Sequence, residues 1–330
     1  MQDKKQNDNV KVINKEEFEK AYKKIEEVQH QINKVVLGKK DIVTNLIASI
    51  LAKGHILVED VPGVGKTTMA TAFSKAMSLD YKRVQFTPDV MPSDITGFSM
   101  FNKKTGEFEF KKGAAMSNVL LADEINRTSP KTQSALLEVM EEGSVTVDGV
   151  TYQIPSPFFV VATQNPLGFI GTQQLPESQL DRFIMKTSMG YPSPEIEVKI
   201  INQRKTSDPL ERVESVASAE DIIQAQMVVQ SIHIDQSVSE YIINLVSKTR
   251  SHSQIELGAS PRASLSLMKL AQATAFMKGR TYVIPDDVLT ILFDSLNHRI
   301  SLKNSAKLNG ITIENVIDEI KKETPIPIIK

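Results

Sequence analysis

The chain has 330 residues, of which 41% are hydrophobic and 24% charged, values typical of a globular protein long enough for two domains. Its 39 lysines and arginines balance 40 aspartates and glutamates, so the net charge of −1 argues against bulk attraction to nucleic acid. The absence of cysteine excludes disulfide scaffolds, thiol catalysis and zinc–thiolate sites. No apolar run approaches the ~20 residues that span a bilayer. Since no signal peptide follows the polar amino terminus, we expect a soluble, cytoplasmic protein without a membrane span.

Apolar runs alternate with helical periodicity over the first 190 residues. The polar residues 1–14 predict a disordered tail. Apolar side chains at helical spacing predict helices over 15–33 and 40–53, and later over 66–78 and 131–142. The predicted strands between them are His55–Glu59, Tyr81–Phe86, Val119–Ala122, Phe158–Ala162 and Phe183–Thr187. Because these strands are apolar on both sides, they indicate a parallel sheet with helices on both faces.

Two segments interrupt this alternation and predict hairpins inserted into the α/β frame. They are residues 98–113, with a turn at 104–106, and residues 144–154, which alternate around an Asp-Gly pair. The glycine- and proline-rich run 190–194 is the clearest linker, and the chain beyond it is mostly helical. The predicted division is therefore a tail (1–14), an α/β domain (15–190) and a helical domain (191–330).

The run Asp60-Val61-Pro62-Gly63-Val64-Gly65-Lys66-Thr67-Thr68 follows a predicted strand and opens a helix, which is the context of a phosphate-binding loop. Its glycines let backbone N–H groups face phosphates at the positive end of the helix dipole. Lys66 would contact the β and γ phosphates, and the Thr67 hydroxyl could ligate Mg²⁺. Asp60 stands where the strict pattern has glycine, and an ordinary glycine turn is the alternative interpretation.

Two acids, Asp123 and Glu124, end the apolar strand Val119–Ala122. In an open α/β sheet, sites form beyond the carboxyl ends of the strands. Asp123 would hold Mg²⁺ through water, and Glu124 would polarise an attacking water as general base. Acids at a strand end often only cap the next helix, but their place behind a phosphate loop favours a nucleotide-hydrolysing site.

These runs resemble the MoxR family of AAA+ ATPases. The similar segments follow the family order from about Val36 to Asp287 and are Val58–Thr67, Asp94–Gly97, Leu121–Thr128, Ala162–Pro166, Leu180–Phe183 and Gly258–Ala263. Asp60 is usual in that family. The resemblance implies an AAA+ P-loop domain with a parallel sheet and two hairpin inserts, followed by an all-α lid, and it implies Mg²⁺-dependent binding and hydrolysis of ATP to ADP.

The resemblance also implies catalytic roles for Asn165 and Arg182. Asn165 matches the polar sensor that orients the attacking water, and an Asn-Pro turn is the alternative. Arg182 matches the arginine finger that the family supplies to the ATP of a neighbouring subunit. A local salt bridge with Asp181 or Glu177 is the alternative for this arginine.

A third implied role falls on Arg262, which matches the sensor by which the lid of the same chain contacts the γ-phosphate. A cation in the first turn of a helix opposes the helix dipole, so it needs an anionic partner. A surface arginine is the alternative. Besides Arg262, the implied nucleotide contacts are Val36 and Gly38 at the adenine and the loop residues Val61, Pro62, Gly63, Val64, Gly65, Lys66, Thr67 and Thr68.

The two inserts are similar to those of magnesium chelatase subunits and replicative helicases. The second insert, 144–153, has no lysine or arginine, which disfavours the DNA grip of a helicase. The first mixes lysines and phenylalanines with glutamates, and we expect a solvated hairpin with buried phenylalanines. The resemblance to the MoxR family implies a hexameric ring that remodels or matures a partner protein, one candidate being a protein with a von Willebrand factor A domain. A chelatase-type motor, a DNA-directed motor and a simple nucleotide switch are the alternatives.

Overall fold

A computed structural model describes residues 14–166, 173–205 and 208–328. The predicted disordered tail, except for Asn14, lies outside the described residues. Asn14 caps the first helix, because its side chain accepts a hydrogen bond from Glu16 N at 3.0 Å. In the three described ranges, none of the helices combines the length and the hydropathy that crossing a membrane would require.

In the described residues, five strands form a parallel sheet. In chain order they are β1 (Ile56–Glu59), β2 (Tyr81–Gln85), β5 (Val119–Asp123), β8 (Phe159–Gln164) and β9 (Met185–Thr187). Their order across the sheet is β2-β5-β8-β1-β9, and every neighbouring pair is parallel. The predicted parallel sheet is confirmed, with strand ends that differ from the prediction by one or two residues.

Helices cover both faces of the sheet. In the first part of the chain they are α1 (Lys15–Asn33), α2 (Lys40–Leu51), α3 (Lys66–Ala76), α4 (Pro92–Thr96), α5 (Pro130–Glu142) and α6 (Glu177–Leu180), with a 3₁₀ turn at Ile125–Arg127. Alternate residues of a strand point to opposite faces, so Leu121 belongs to the core on one face and Leu120 to the core on the other. Both cores are apolar, which explains why the sequences of the central strands β1, β5 and β8 do not alternate.

Two antiparallel hairpins project from this frame, as predicted. They pair β3 (Gly97–Asn102) with β4 (Glu107–Lys112), and β6 (Ser144–Val147) with β7 (Val150–Gln153). The expectation of buried phenylalanines is wrong, because Phe108 is 73% exposed and Phe101 50% exposed. Phe110 alone of the phenylalanines of β4 stacks on the second hairpin, with its ring 3.9 Å from that of Tyr152. The two hairpins therefore pack against each other, and the outer face of the first hairpin is exposed to solvent.

The remainder of the chain is mostly helical, as predicted. Its elements are α7 (Pro194–Arg204), a 3₁₀ turn (Pro209–Arg212), α8 (Ala219–Gln230), α9 (Gln236–Ser251), β10 (Ile255–Leu257), α10 (Pro261–Met277), α11 (Pro285–Leu296), β11 (Ser301–Leu302), α12 (Asn304–Leu308) and α13 (Ile313–Glu323). We call the part from α8 onwards the lid. The small antiparallel pair β10–β11 was not predicted. Helix α1 packs against α3 and also against α8 and α10 of the lid, and the domain division stays a prediction.

His55, just before β1, is a buried group whose protonation state affects stability. Its Nδ1 accepts from Val160 N at 3.0 Å and its Nε2 lies 3.0 Å from Met140 O, so the neutral ring with its proton on Nε2 satisfies both. Burial lowers the pKa of His55 from 6.5 to about 4, although the bond to Met140 raises it. Since the unfolded chain takes up this proton first, the free energy of unfolding falls as the pH drops from about 6.5 towards 4.

We predict that His55→Gln weakens this acid sensitivity. Glutamine can still donate to Met140 O but cannot take up a proton. Asp294, whose pKa burial raises to about 6, acts in the opposite direction, so the variant must be compared with the parent. In urea titrations at pH 7 and pH 5, the parent should lose roughly 2 kcal/mol more than the variant. Equal losses would mean that His55 does not carry the effect.

Candidate active site

The phosphate loop joins β1 to α3 and leaves an open cradle. Gly63 and Gly65 adopt φ angles of 89° and 101°, in the left-handed region that favours glycine. A Cβ built on either glycine would meet nothing within 4 Å, so the loop faces free space in front of the amino end of α3. Backbone N–H groups and the positive end of a helix dipole therefore surround a space that a phosphate fits.

Lys66 opens α3 and is buried at the floor of this cradle. Its Nζ donates to Asp60 O at 2.8 Å. Burial lowers the pKa of Lys66, and the carboxylates of Asp123, Asp60 and Glu124 oppose that shift. The ammonium thus lies between the loop and the acids of β5, where a phosphate could replace its main-chain partner.

The hydrogen bonds of Asp60 explain why this position carries an aspartate and not the glycine of the strict pattern. Its buried carboxylate accepts hydrogen bonds from Ser188 Oγ at 3.1 Å, from Gly190 N at 3.0 Å and from Met189 N. These three residues follow β9, and Gly190 begins the linker that leads to α7. The aspartate therefore fixes the phosphate loop to the start of the linker, which a glycine could not do.

Thr163 on β8 forms hydrogen bonds with both acids at the end of β5. Its Oγ1 donates to Asp123 Oδ1 at 2.7 Å and accepts from Glu124 N at 2.9 Å. Arg83 on β2 donates to the other oxygen of Asp123 at 2.6 Å. A carboxylate and the Thr67 hydroxyl are oxygen donors of the kind Mg²⁺ takes alongside water and phosphate, so this donor set fits the predicted ion.

The carboxylate of Glu124 accepts hydrogen bonds on both of its oxygens. Arg127 Nη1 donates to Oε2 at 2.7 Å and Asn165 Nδ2 donates to Oε1 at 3.1 Å. Burial raises the pKa of Glu124, but these hydrogen bonds outweigh it and leave the pKa below its ordinary value. In the described ranges, Asn165 Oδ1 is buried without a hydrogen-bond partner. The structure thus brings Glu124 and Asn165 together, with one amide oxygen free to accept from a water.

A cavity of about 560 Å³ lies beside the phosphate loop. Of the predicted nucleotide contacts it is lined by Val36, Pro62, Gly63, Val64, Gly65 and Thr68. Gly38 acts indirectly, because a Cβ there would lie 3.0 Å from the side chain of Ile196 on α7, so glycine lets that helix approach. Lys39 donates to Met189 O and, at 3.0 Å, to Tyr191 O, which fixes the linker to the same wall.

Arg182 and Arg262 lie at the opposite edge of the sheet from the phosphate loop. They line a second cavity, of about 260 Å³, together with Gly54 and His55, which precede β1, whereas the phosphate loop follows β1. Arg182 Nη1 and Arg262 Nη2 both bind the carboxylate of Glu141, the latter at 2.5 Å. The alternative prediction for Arg182 is an ion pair with Asp181 or Glu177. In the structure Arg182 pairs with Glu141 instead.

The expectation that Arg262 reaches the phosphates of its own chain is corrected by this placement. The hydroxyl of Ser260, which caps α10, donates to Asp181 at 2.8 Å and so holds the start of α10 beside Arg182. Arg262 follows two residues later and points to the same acid as Arg182. The anionic partner that its position in the first turn requires is Glu141 in this chain.

Sequence reasoning missed three arginines around the site. Arg83 and Arg127 bind the two acids, and Arg204 on α7 lines the nucleotide cavity and donates to Thr68 Oγ1 at 3.3 Å. The sequence contains a signal for Arg127, because this arginine follows Glu124 by about one helical turn. Arg83 and Arg204 reach the site through strand pairing and helix packing, which the local sequence does not reveal.

Comparisons with known proteins agree with this geometry. Residues 55–185 match the family described as ATPases associated with various cellular activities (AAA), and residues 247–320 match the AAA lid domain. The chain is 38% identical to chaperone MoxR1 of Mycobacterium tuberculosis, over 92% of this chain and 82% of that one. The chain belongs to the MoxR family of AAA+ ATPases. This MoxR protein is therefore an ATP-hydrolysing enzyme with a nucleotide-binding site.

Two further relatives cover nearly the whole MoxR chain. The uncharacterized protein YeaC of Bacillus subtilis (strain 168) is 53% identical over 91% of this chain and 94% of its own. The crystal structure of a protein from Cytophaga hutchinsonii assigned as an ATPase superposes with a TM-score of 0.89 at 39% identity, covering 95% of this chain and 98% of that one. The predicted fold, an α/β nucleotide domain followed by a helical lid, is confirmed.

We predict that Asp60→Gly, which creates the strict phosphate-loop pattern, destabilises this MoxR protein. The change leaves the buried N–H of Met189 and the partly buried N–H of Gly190 without their acceptor, which should lower the free energy of unfolding by about 3 kcal/mol. Asp60→Asn keeps one oxygen and should lose less. Urea unfolding of the three proteins measures the order. A glycine variant as stable as the parent would show that Asp60 does not fix the linker.

Proposed function

We propose that this MoxR protein is a Mg²⁺-dependent ATPase whose active sites are completed between neighbouring subunits of a ring. The observation that supports this is the separation of its catalytic groups. Lys66 and Glu124 lie at the carboxyl edge of the sheet, and Arg182 lies at the amino edge. Within one chain, Arg182 therefore cannot reach the phosphate that Lys66 binds. A head-to-tail neighbour can place its own Arg182 at that phosphate.

At the nucleotide, the proposed chemistry is in-line attack of water on the γ-phosphate. Lys66 would exchange its bond to Asp60 O for the β and γ phosphates. Glu124, kept ionised by Arg127 and Asn165, would accept the proton of the attacking water. When bound, Mg²⁺ would be held by the Thr67 hydroxyl and, through water, by Asp123, and would offset phosphate charge.

Across the interface, Arg182 would act as the arginine finger and Arg262 would act beside it. A guanidinium is planar and permanently charged, so it can bridge phosphate oxygens. Glu141 holds both arginines on one carboxylate in the single chain. The γ-phosphate of a neighbour would replace that carboxylate, which gives both arginines the same target. Head-to-tail contacts of this kind close into rings, and a hexamer is the family expectation.

For the cellular role, we propose chaperone-like remodelling or maturation of a partner protein, with a von Willebrand factor A domain protein as one candidate. MoxR1, the relative covering 92% of this chain, is named a chaperone. A chelatase-type motor is the second candidate, because a protein of Methanocaldococcus jannaschii named as a magnesium-chelatase subunit ChlI homolog is 28% identical over 63% of this chain and 58% of its own. Identifying the proteins that co-purify with a Glu124→Gln variant distinguishes them.

We predict that Lys66→Ala and Glu124→Gln separate binding from chemistry. Lys66 would contact phosphate in the ground state, so its removal should abolish ATP binding. Glu124 would act on the water, so its amide should bind ATP normally and stop hydrolysis. Equilibrium binding of a labelled nucleotide and a phosphate-release assay measure the two effects. Parental turnover by Glu124→Gln would contradict the role of this base.

We predict that Arg182→Ala binds ATP normally but hydrolyses it about 10³-fold or more slowly, the loss typical of a missing finger. Mixing it with Glu124→Gln should restore part of the activity, because some interfaces then join an intact Glu124 to an intact Arg182. Parental activity per subunit should rise with protein concentration as rings form. If mixed rings form without any rescue, the role in trans is wrong.

A further inference from the structure

Three consecutive side chains that follow α11 bind the main chain of residues 181–186, which include Arg182. We call Asn297, His298 and Arg299 the clamp, and residues 181–186 the finger segment. Asn297 Nδ2 donates to Lys186 O at 3.0 Å, and His298 Nε2 lies 3.0 Å from Phe183 O. The clamp belongs to the lid, whereas the finger segment leads into β9 of the sheet.

Arg299 is the central member, because its guanidinium binds on both sides of Arg182. Nη2 donates to Asp181 O at 3.2 Å and to Phe183 O at 2.6 Å, and Nη1 donates to Ile184 O at 3.2 Å. Nε donates to the carboxylate of Asp181 at 2.8 Å. The carbonyls before and after Arg182 are therefore fixed by one rigid, planar group.

Arg299 is buried, and all of its guanidinium nitrogens donate hydrogen bonds. Its side chain is 1% exposed, and its remaining hydrogen bonds go to Ser295 O at 2.6 Å, Ser295 Oγ at 3.2 Å and Ser266 Oγ at 3.1 Å within the lid. Burying a cation is expensive, and apolar side chains of similar size often hold two elements together equally well. What a guanidinium adds is a fixed geometry for several carbonyls at once.

Asp181 extends this arrangement to the second arginine of the interface. One carboxylate oxygen of Asp181 accepts from Arg299, and the other accepts from Ser260 Oγ at 2.8 Å. Ser260 caps α10, whose first turn carries Arg262. The supports of Arg182 and Arg262 thus meet at one carboxylate beside the clamp.

We propose that Arg299 is a positioning residue that fixes the arginine finger from the lid of the same subunit. A subunit then offers Arg182 to its neighbour only while its own lid holds the finger segment. The inference rests on the proposed action of Arg182 in trans and goes beyond it, because it makes the lid of one subunit a condition for hydrolysis in the next.

The test is Arg299→Lys in the full-length protein. Lysine keeps a charge for Asp181 but cannot bind three carbonyls in fixed directions. We expect normal ATP binding and ring formation, with hydrolysis about 100-fold slower, as for a misplaced catalytic group. Mixing with Glu124→Gln should restore activity, because that variant supplies intact fingers to the intact Lys66 and Glu124 of the lysine variant.

A merely structural defect would give a different pattern. A lid that fails to fold would lower the free energy of unfolding or prevent ring formation, so mixing with Glu124→Gln would not restore activity. Arg280→Lys is the matched control, since Arg280 pairs with buried Asp287 at 2.8 Å elsewhere in the lid. It should leave the hydrolysis rate near the parental value. Asp181→Asn, a smaller change to the same contact, decides the test if Arg299→Lys does not fold.

The mixture of Arg182→Ala with Glu124→Gln distinguishes failure of the clamp inference from failure of the proposed action of Arg182 in trans. If Arg182→Ala is rescued while Arg299→Lys and Asp181→Asn hydrolyse ATP at the parental rate, or resist rescue, the clamp has no positioning role and the finger stands. If Arg182→Ala itself is not rescued by Glu124→Gln, the action in trans fails, and the clamp inference fails with it.

Discussion

The five strands of the central sheet run in one direction, so the two edges of the sheet are chemically different. Every strand delivers its last residue to the same edge, which gathers the phosphate loop after β1, the acids of β5 and Asn165 after β8. The segments that enter the strands meet at the other edge, and there the entry to β9 brings Arg182. This polarity is why one chain holds the nucleotide at one edge and the cationic residues that would complete the site at the other.

Polar contacts hold the linker at one edge of the sheet and the lid at the other. At the nucleotide edge, Asp60 and Lys39 bind the linker that leads to α7. At the opposite edge, the clamp binds the finger segment. These hydrogen bonds have fixed partners and directions, so they specify one position of the clamp on the finger segment. A lid movement that follows nucleotide binding would therefore act on the arginines of the same subunit.

Much of this molecule follows from its sequence because the determining patterns are local. The strand Val119–Ala122 is apolar throughout and is followed by two acids, which predicts its burial and the edge where the acids lie. The phosphate loop and the hairpin turn at 148–149 depend on glycine geometry, which is also local. Asp60 could be recognised as unusual from the sequence, but its partners lie about 130 residues away and only the fold reveals them.

The errors concern contacts between distant parts of the chain. The sequence places Arg262 at a helix start in the lid, but nothing in its spacing says which edge of the sheet that helix reaches. The phenylalanines of the first hairpin look like core residues, yet their exposure depends on how far the hairpin projects from the frame. Arg299 stands in an ordinary helix-end sequence, and its importance appears only through the carbonyls it binds.

The most direct test of the account is the structure of the Glu124→Gln assembly with ATP bound. The distances to measure run from the guanidinium groups of Arg182 and Arg262 in one subunit to the γ-phosphate held by Lys66 in the next. The account predicts that Arg182 and Arg262 have left Glu141 and lie within hydrogen-bonding distance of that phosphate. It is contradicted if subunits form the interface around bound ATP while both arginines remain on the Glu141 of their own chain.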